Sequence, residues 1–181
     1  MKWLLRIVGA VLIVALLGLL TLFLMSKRPG AGKSETSVEI SQPPEVVWAW
    51  ITETDKLTQW VDWLVTVESD TTSPQGVGHR EVWVMNDPNT KEQMRLSALV
   101  TAVDPPRSTT ARLEVPKAFV GDVTFTLTPL EGGRTRLTQK GEFQYTNPVY
   151  ALMEPLVTPE AKKKEVSDFA RLKRLAEAAP R

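Results

Sequence analysis

His79 is the only histidine of the chain, the residue type most often used as a general acid or base and as a metal ligand. Acid–base catalysis or zinc binding through it needs partners at suitable spacing, and the neighbours Gly78, Arg80 and Glu81 do not supply them. His79 therefore reads as a strand-edge residue. Asp62 and Glu68 are separated carboxylates without evident pairing, which gives acid–base work no second footing. The absence of cysteine removes thiolate metal sites, disulfides and cysteine nucleophiles, and leaves the redox compartment open. With no nucleophile motif, phosphate-cradling loop or metal-ligand cluster, the sequence predicts no catalytic residue, no metal site and no cofactor. One amide stands out, Gln139, set on an apolar row between Leu137 and Gly141. Such an amide either orients a polar group of a ligand or bonds a neighbouring backbone group, the commoner fate.

Two other groupings carry recognition chemistry. Trp48, Trp50, Trp60 and Trp63 are denser than a small core needs; packing accounts for most of them, while exposed indoles at Trp50 or Trp63 would suit lipid headgroups or a protein surface. Lys162-Lys163-Lys164 reads as a solvated helix face, with anionic headgroups as the alternative partner. Lys2, Arg6, Lys27, Arg28 and Lys33 all precede the first acidic residue, Glu35, so the remainder of the chain is mildly acidic. That balance offers no footprint for a phosphate backbone and argues against nucleic acid as a partner.

The elements that must position these groups begin with an apolar run. From Ile7 to Met25 no side chain is charged and only Thr21 is polar; as a helix these roughly 19 residues span about 28 Å, the thickness of a bilayer's hydrocarbon core. Trp3 and Lys27-Arg28 are suitable interfacial anchors. The reading is a transmembrane helix over residues 4–26, a linker over 27–35 rich in glycine and small residues, and one domain over 36–179. A cleaved signal peptide is the alternative, but it calls for a shorter run and a neutral cleavage region where Lys27 and Arg28 stand, and Gly30-Ala31-Gly32 is a poor cleavage site. The flanking charges nearly tie; a very short tail ahead of a first apolar helix usually stays in the cytoplasm, which places the domain on the extracytoplasmic side.

In the domain, Ser37–Ile40 alternates as a strand, and Ser41 followed by Pro43-Pro44 opens a helix with Val47, Trp48 and Ile51 at helical spacing. A second helical turn covers Leu57–Val61. Six strands follow: Leu64–Ser69, His79–Asn86, Gln93–Val103, Thr109–Val115, Asp122–Pro129 and Thr135–Tyr145. Pro74-Gln75-Gly76, Asp87-Pro88-Asn89, Pro105-Pro106 and Glu131-Gly132-Gly133 supply turns between them. Rows such as Val123, Phe125 and Leu127 against Thr124, Thr126 and Thr128 give the sheet one buried side. Pro148–Ala179 reads as a long helix, with Pro155 and Pro159 expected to kink or interrupt it. A sheet covered on its apolar face by a terminal helix is an α+β arrangement.

This order of elements resembles the helix-grip fold of the START-like superfamily, also labelled SRPBCC or polyketide cyclase/dehydrase. Ile40-Ser41-Gln42-Pro43-Pro44-Glu45-Val46-Val47-Trp48 looks like that family's first strand and helix entry, Leu57-Thr58-Gln59-Trp60 like its second helix, and Asp104-Pro105-Pro106-Arg107 like its mid-sheet hairpin. The stretch from Phe125-Thr126-Leu127-Thr128-Pro129-Leu130 through Glu131-Gly132-Gly133-Arg134 to Thr135-Arg136-Leu137-Thr138 resembles its penultimate hairpin, and Asp168-Phe169-Ala170-Arg171-Leu172-Lys173-Arg174-Leu175 the end of its last helix. The resemblance implies a curved antiparallel seven-stranded sheet wrapped around a long C-terminal helix, here with one N-terminal transmembrane helix added.

It also implies a cavity between sheet and helix that holds lipids, sterols, polyketides or other apolar molecules in relatives. The candidate lining is Leu96, Ala98, Leu113, Phe125, Leu127, Gln139 and Phe143 from the sheet, with Met153 and Val157 from the helix. Three functions follow as expectations. The first is a non-enzymatic membrane-anchored domain that binds or transfers a hydrophobic small molecule or lipid. The second is a polyketide cyclase or dehydratase-like enzyme, which would be favoured by a polar cluster in the cavity around Gln139. The third is a protein-interaction domain of the envelope, using exposed apolar surface such as Trp50.

Overall fold

The computed structural model describes residues 2–27, 30–70, 72, 76–86 and 92–179. Arg28 at the end of the apolar run and the turn residues Pro74-Gln75 and Asp87-Pro88-Asn89 lie outside them. Helix α1, Lys2–Ser26, follows from a leucine-rich apolar run that contains no proline, and none of its residues is buried. Among the described residues it is the one helix long and apolar enough to cross a membrane. Strand β1 (Lys33–Ile40) begins inside the stretch read as linker, because Lys33 and Ser34 already pair with Glu142 and Gly141. Helix α2 (Pro44–Thr52) opens on proline, whose missing N–H costs nothing at a first helical position. Its C-terminal cap, Glu53, is also the N-terminal cap of α3 (Thr54–Trp60), so the two short helices share a joint.

The remaining strands are β2 (Leu64–Ser69), β3 (Arg80–Asn86), β4 (Gln93–Asp104), β5 (Ser108–Val115), β6 (Phe119–Leu130) and β7 (Arg134–Tyr145), followed by α4 (Pro148–Ala178). They form one antiparallel sheet in the order β1-β7-β6-β5-β4-β3-β2, so the helix-grip arrangement expected from the sequence is the one observed. Gly132 and Gly133, both with positive φ, close the β6–β7 hairpin in a conformation other residues rarely adopt. A register shift between Val100 and Ala102 in β4 changes which side chains face inward. Before it the inward residues are Leu96, Ala98 and Val100, whereas beyond it Val103 is partly covered and Ala102 is exposed.

The core lies at one end of the molecule. Phe169, Leu172 and Ala176 of α4 pack there with Ile40, Val47, Trp50, Ile51, Leu57, Trp60, Leu127 and Leu137. Trp60 meets Phe169 edge-on at 6.1 Å and donates its indole N–H to the carbonyl of Trp50 at 2.8 Å, so a large apolar body is buried without an orphaned donor. Trp50 itself is only 7% exposed, which corrects the expectation that it presents apolar surface to a partner. Polar fastenings hold the end of α4: the Gln42 amide donates to the carbonyl of Ala176 at 3.1 Å, and the backbone N–H of Ser41 to Glu177 at 2.7 Å. Pro155 and Pro159 do not interrupt α4, which runs continuously from Pro148 to Ala178.

Candidate functional site

Bordering this core, and sharing Ile51, Leu57, Trp60 and Phe169 with it, the sheet, α2–α3 and α4 line a cavity of about 440 Å³. Its floor consists of three rows that run across neighbouring strands. One passes from Glu81 to Ala98, Leu113, Gly121 and Phe143; the next from Val100 to Ala111, Val123 and Gly141; the third from Val103 to Thr109, Phe125 and Gln139. Small residues at Ala98, Ala111, Gly121 and Gly141 are the physical origin of the space. A Cβ at Gly121 would stand 2.5 Å from the Phe143 ring, and one at Gly141 2.7 Å from the same ring. Phe143 therefore lies flat over both glycines instead of projecting toward α4. Trp48 and Ile51 of α2, Leu57 and Trp60 of α3, Trp83 of β3 and Phe169 of α4 complete apolar walls.

Polar groups are few and placed at the sides. The Trp83 indole donates to one Glu81 oxygen at 2.8 Å, while the other lies 3.5 Å from Nε2 of His79; both the His79 and Glu81 side chains are largely covered. On α4, Glu165 accepts from the Thr36 and Ser34 hydroxyls at 2.7 and 3.2 Å, and Asp168 accepts from the Lys164 ammonium at 3.1 Å and the backbone N–H of Asp62 at 3.4 Å. Burial raises the Asp168 carboxyl above its ordinary value, an effect that Lys164 opposes without cancelling. Gln139 stands on the floor beside Phe125, and its side chain makes no hydrogen bond among the described residues. No lysine or arginine lines the cavity among those residues, and no group of three or more of their His, Asp and Glu side chains is placed to hold a metal.

The sequence-derived candidates divide in three. Ala98, Leu113, Phe125, Gln139 and Phe143 come together on the cavity floor. Leu96, opposite Trp83, and Leu127 are buried, Leu127 in the core cluster. Met153 and Val157 instead face outward, 41% and 54% exposed, because Glu154 and Pro155 occupy the inward side of that turn of α4. His79, read as a strand-edge residue, directly precedes β3 and in addition sits on the cavity wall with Glu81, a placement not anticipated from its neighbours. The available signal was parity: His79, Glu81 and Trp83 alternate, so an extended chain points all three the same way. Asp62 and Glu68, read as separated carboxylates that form no acid–base pair, bond Arg171 at 3.2 Å and Arg95 at 3.0 Å on the surface. The three lysines do not share one solvated face either: Lys163 is exposed, Lys162 reaches Thr36, and Lys164 lies 4.5 Å over the Trp63 ring.

Residues 31–179 match the family model described as polyketide cyclase / dehydrase and lipid transport. No curated protein matches the chain in sequence. Among solved structures, a protein from Nitrosomonas europaea superposes with a TM-score of 0.62 at 18% identity, over 80% of this chain and 94% of that one. A conserved protein from Geobacillus kaustophilus gives 0.66 at 16%, over 80% and 94%, and one from Rhodobacter sphaeroides 0.66 at 18%, over 84% and 97%. Identities this low speak to the fold.

Proposed function

The chain belongs to the polyketide cyclase / dehydrase and lipid transport family, and from that premise we propose that it holds or transfers a hydrophobic small molecule or lipid while α1 tethers it to a membrane. The observation that carries this reading is the small-residue floor beneath aromatic walls, a space of about 440 Å³. Ligand sites commonly measure about 300–1,000 Å³, and an apolar hollow prefers an apolar guest to water. The unengaged Gln139 amide supplies one point at which a guest's polar group is oriented.

The test is organic extraction of the purified full chain followed by mass spectrometry, with a fluorescent lipid titrated into the emptied protein. A defined apolar species and saturable binding are expected. Ala98→Phe, which pushes a ring into the space, should weaken binding by about tenfold or more. Equal binding by this variant, or no binding by the wild type, would sink the proposal.

One observation favours a second reading, a cyclase or dehydratase: the His79–Glu81 pair on the cavity wall, with Gln139 across the floor. An imidazole held beside a carboxylate is suited to moving a proton. Turnover of a polyketide-like thioester that disappears in His79→Ala, with binding retained, would establish it; no turnover by the wild type would remove it.

A further inference from the structure

The first three turns of α4 present an apolar face that none of the described residues covers. Val149, Tyr150, Met153, Leu156 and Val157 stand at i, i+1, i+4, i+7 and i+8, the spacing of one helical stripe, and are 41–66% exposed. The only charged side chain between Pro148 and Pro159 is Glu154, which is 1% exposed and turned inward. Glu154 accepts from the Thr158 hydroxyl at 2.7 Å and from the backbone N–H of Gly32 at 3.3 Å, while the Gly32 carbonyl accepts from Phe143 N–H at 2.7 Å. The chain leaving α1 is thus fastened to this part of α4, and α1 packs against α4. From Ser26 to Gly32 the backbone spans at most about 20 Å. If α1 crosses a bilayer, the stripe sits at the bilayer surface.

We infer that the Val149–Val157 stripe is a second membrane contact, buried in the headgroup and upper acyl region beside α1. Its chemistry fits that zone: large aliphatic side chains, a tyrosine whose hydroxyl stays at the polar boundary, and an uncharged outer face. Beyond the stripe the charged side chains of Glu160 and Lys163 are exposed and paired with each other at 2.7 Å, so the uncharged face ends where a polar headgroup boundary would lie. The contact orients the domain rather than leaving it on a loose tether. It also sets the cavity close to lipid, because Glu165 on its wall lies eight residues beyond Val157, about 12 Å along the helix. The inference rests on the reading of α1 as a membrane anchor, so the test must separate the two.

The chain contains no cysteine, so single cysteines can be introduced and labelled without background. Val149→Cys and Leu156→Cys, with Leu12→Cys in α1 and Thr128→Cys on the outer face of β6, would carry an environment-sensitive fluorophore in the full chain. Each is reconstituted into phosphatidylcholine–phosphatidylglycerol vesicles with brominated acyl chains. Labels at 149 and 156 are expected to brighten severalfold, to be quenched by bromolipid and to escape aqueous iodide, as the label at 12 does, while the label at 128 does the reverse. A buried label at 12 with iodide-accessible labels at 149 and 156 overturns the inference and leaves the anchor standing. A label at 12 that bromolipid does not quench overturns the anchor, and the inference with it. Shielding at 149 and 156 that ignores bromolipid and grows with protein density assigns the face to a second copy of the chain and refutes the membrane contact.

Discussion

Asp168 shows how one residue is tuned by position. Its carboxylate is largely removed from water, and its two acceptor contacts, Lys164 at 3.1 Å and the backbone N–H of Asp62, recover only part of the lost hydration. Burial therefore raises its pKa above 3.8. The native state then binds this proton more tightly than the unfolded chain does, so the group's contribution is full at and below the ordinary carboxyl range and is lost as pH rises through the raised value. Denaturant midpoints of the wild type and Asp168→Asn in detergent, measured from about pH 4 to pH 7, should show the wild type losing stability relative to the variant as pH rises. Parallel curves would remove Asp168 as the titrating group.

At the scale of elements, α4 is two helices in function. Its second half is docked by Phe169, Leu172 and Ala176, all within 2% of complete burial, and its first half exposes the Val149–Val157 stripe. Leu172→Ala should cost about 2–5 kcal/mol in denaturant unfolding, the range for a buried leucine truncated in a packed core. Leu156→Ala should change the same measurement by no more than about 0.5 kcal/mol, as exposed positions do. Similar costs for the two would show that the first half is packed in solution after all. The sheet carries a matching division. Where β6 and β7 offer Leu127 and Leu137 the space is filled, and where they offer Gly121 and Gly141 it is not.

For the whole molecule, a tethering α1 predicts that the full chain stays in the membrane pellet after high-salt and alkaline carbonate washes, because about 19 apolar residues withdrawn from water are indifferent to both treatments. Removing residues 2–26 should shift it to the soluble fraction or leave it only loosely bound through the α4 stripe. Release of the full chain by carbonate would refute the membrane span, and a mature protein lacking these residues would identify α1 as a signal sequence.

Much of this architecture was legible from sequence because the determining forces are local. The period-2 rows of β5, β6 and β7, the paired glycines of the β6–β7 turn and the apolar length of α1 each leave a direct mark in residue order. Five residues of the cavity floor could be named in advance because that alternation put them on the inward face and the resemblance to the helix-grip fold implied a cavity there. What the sequence could not hold was how far each element stands from the next. The bulge in β4 exchanges Ala102 for Val103, the flat Phe143 ring depends on glycines in two strands, and His79 meets a cavity only because β3 pairs with β4. Met153 and Val157 carry the right chemistry for a lining, yet the fastening of Glu154 to Gly32 turns them outward. Alternation fixes which residues share a face, while the hollow is set by how neighbouring strands pair and bulge, and the direction in which α4 presents its first turns by the Glu154–Gly32 contact between residues 122 positions apart. Only the tertiary structure decides those.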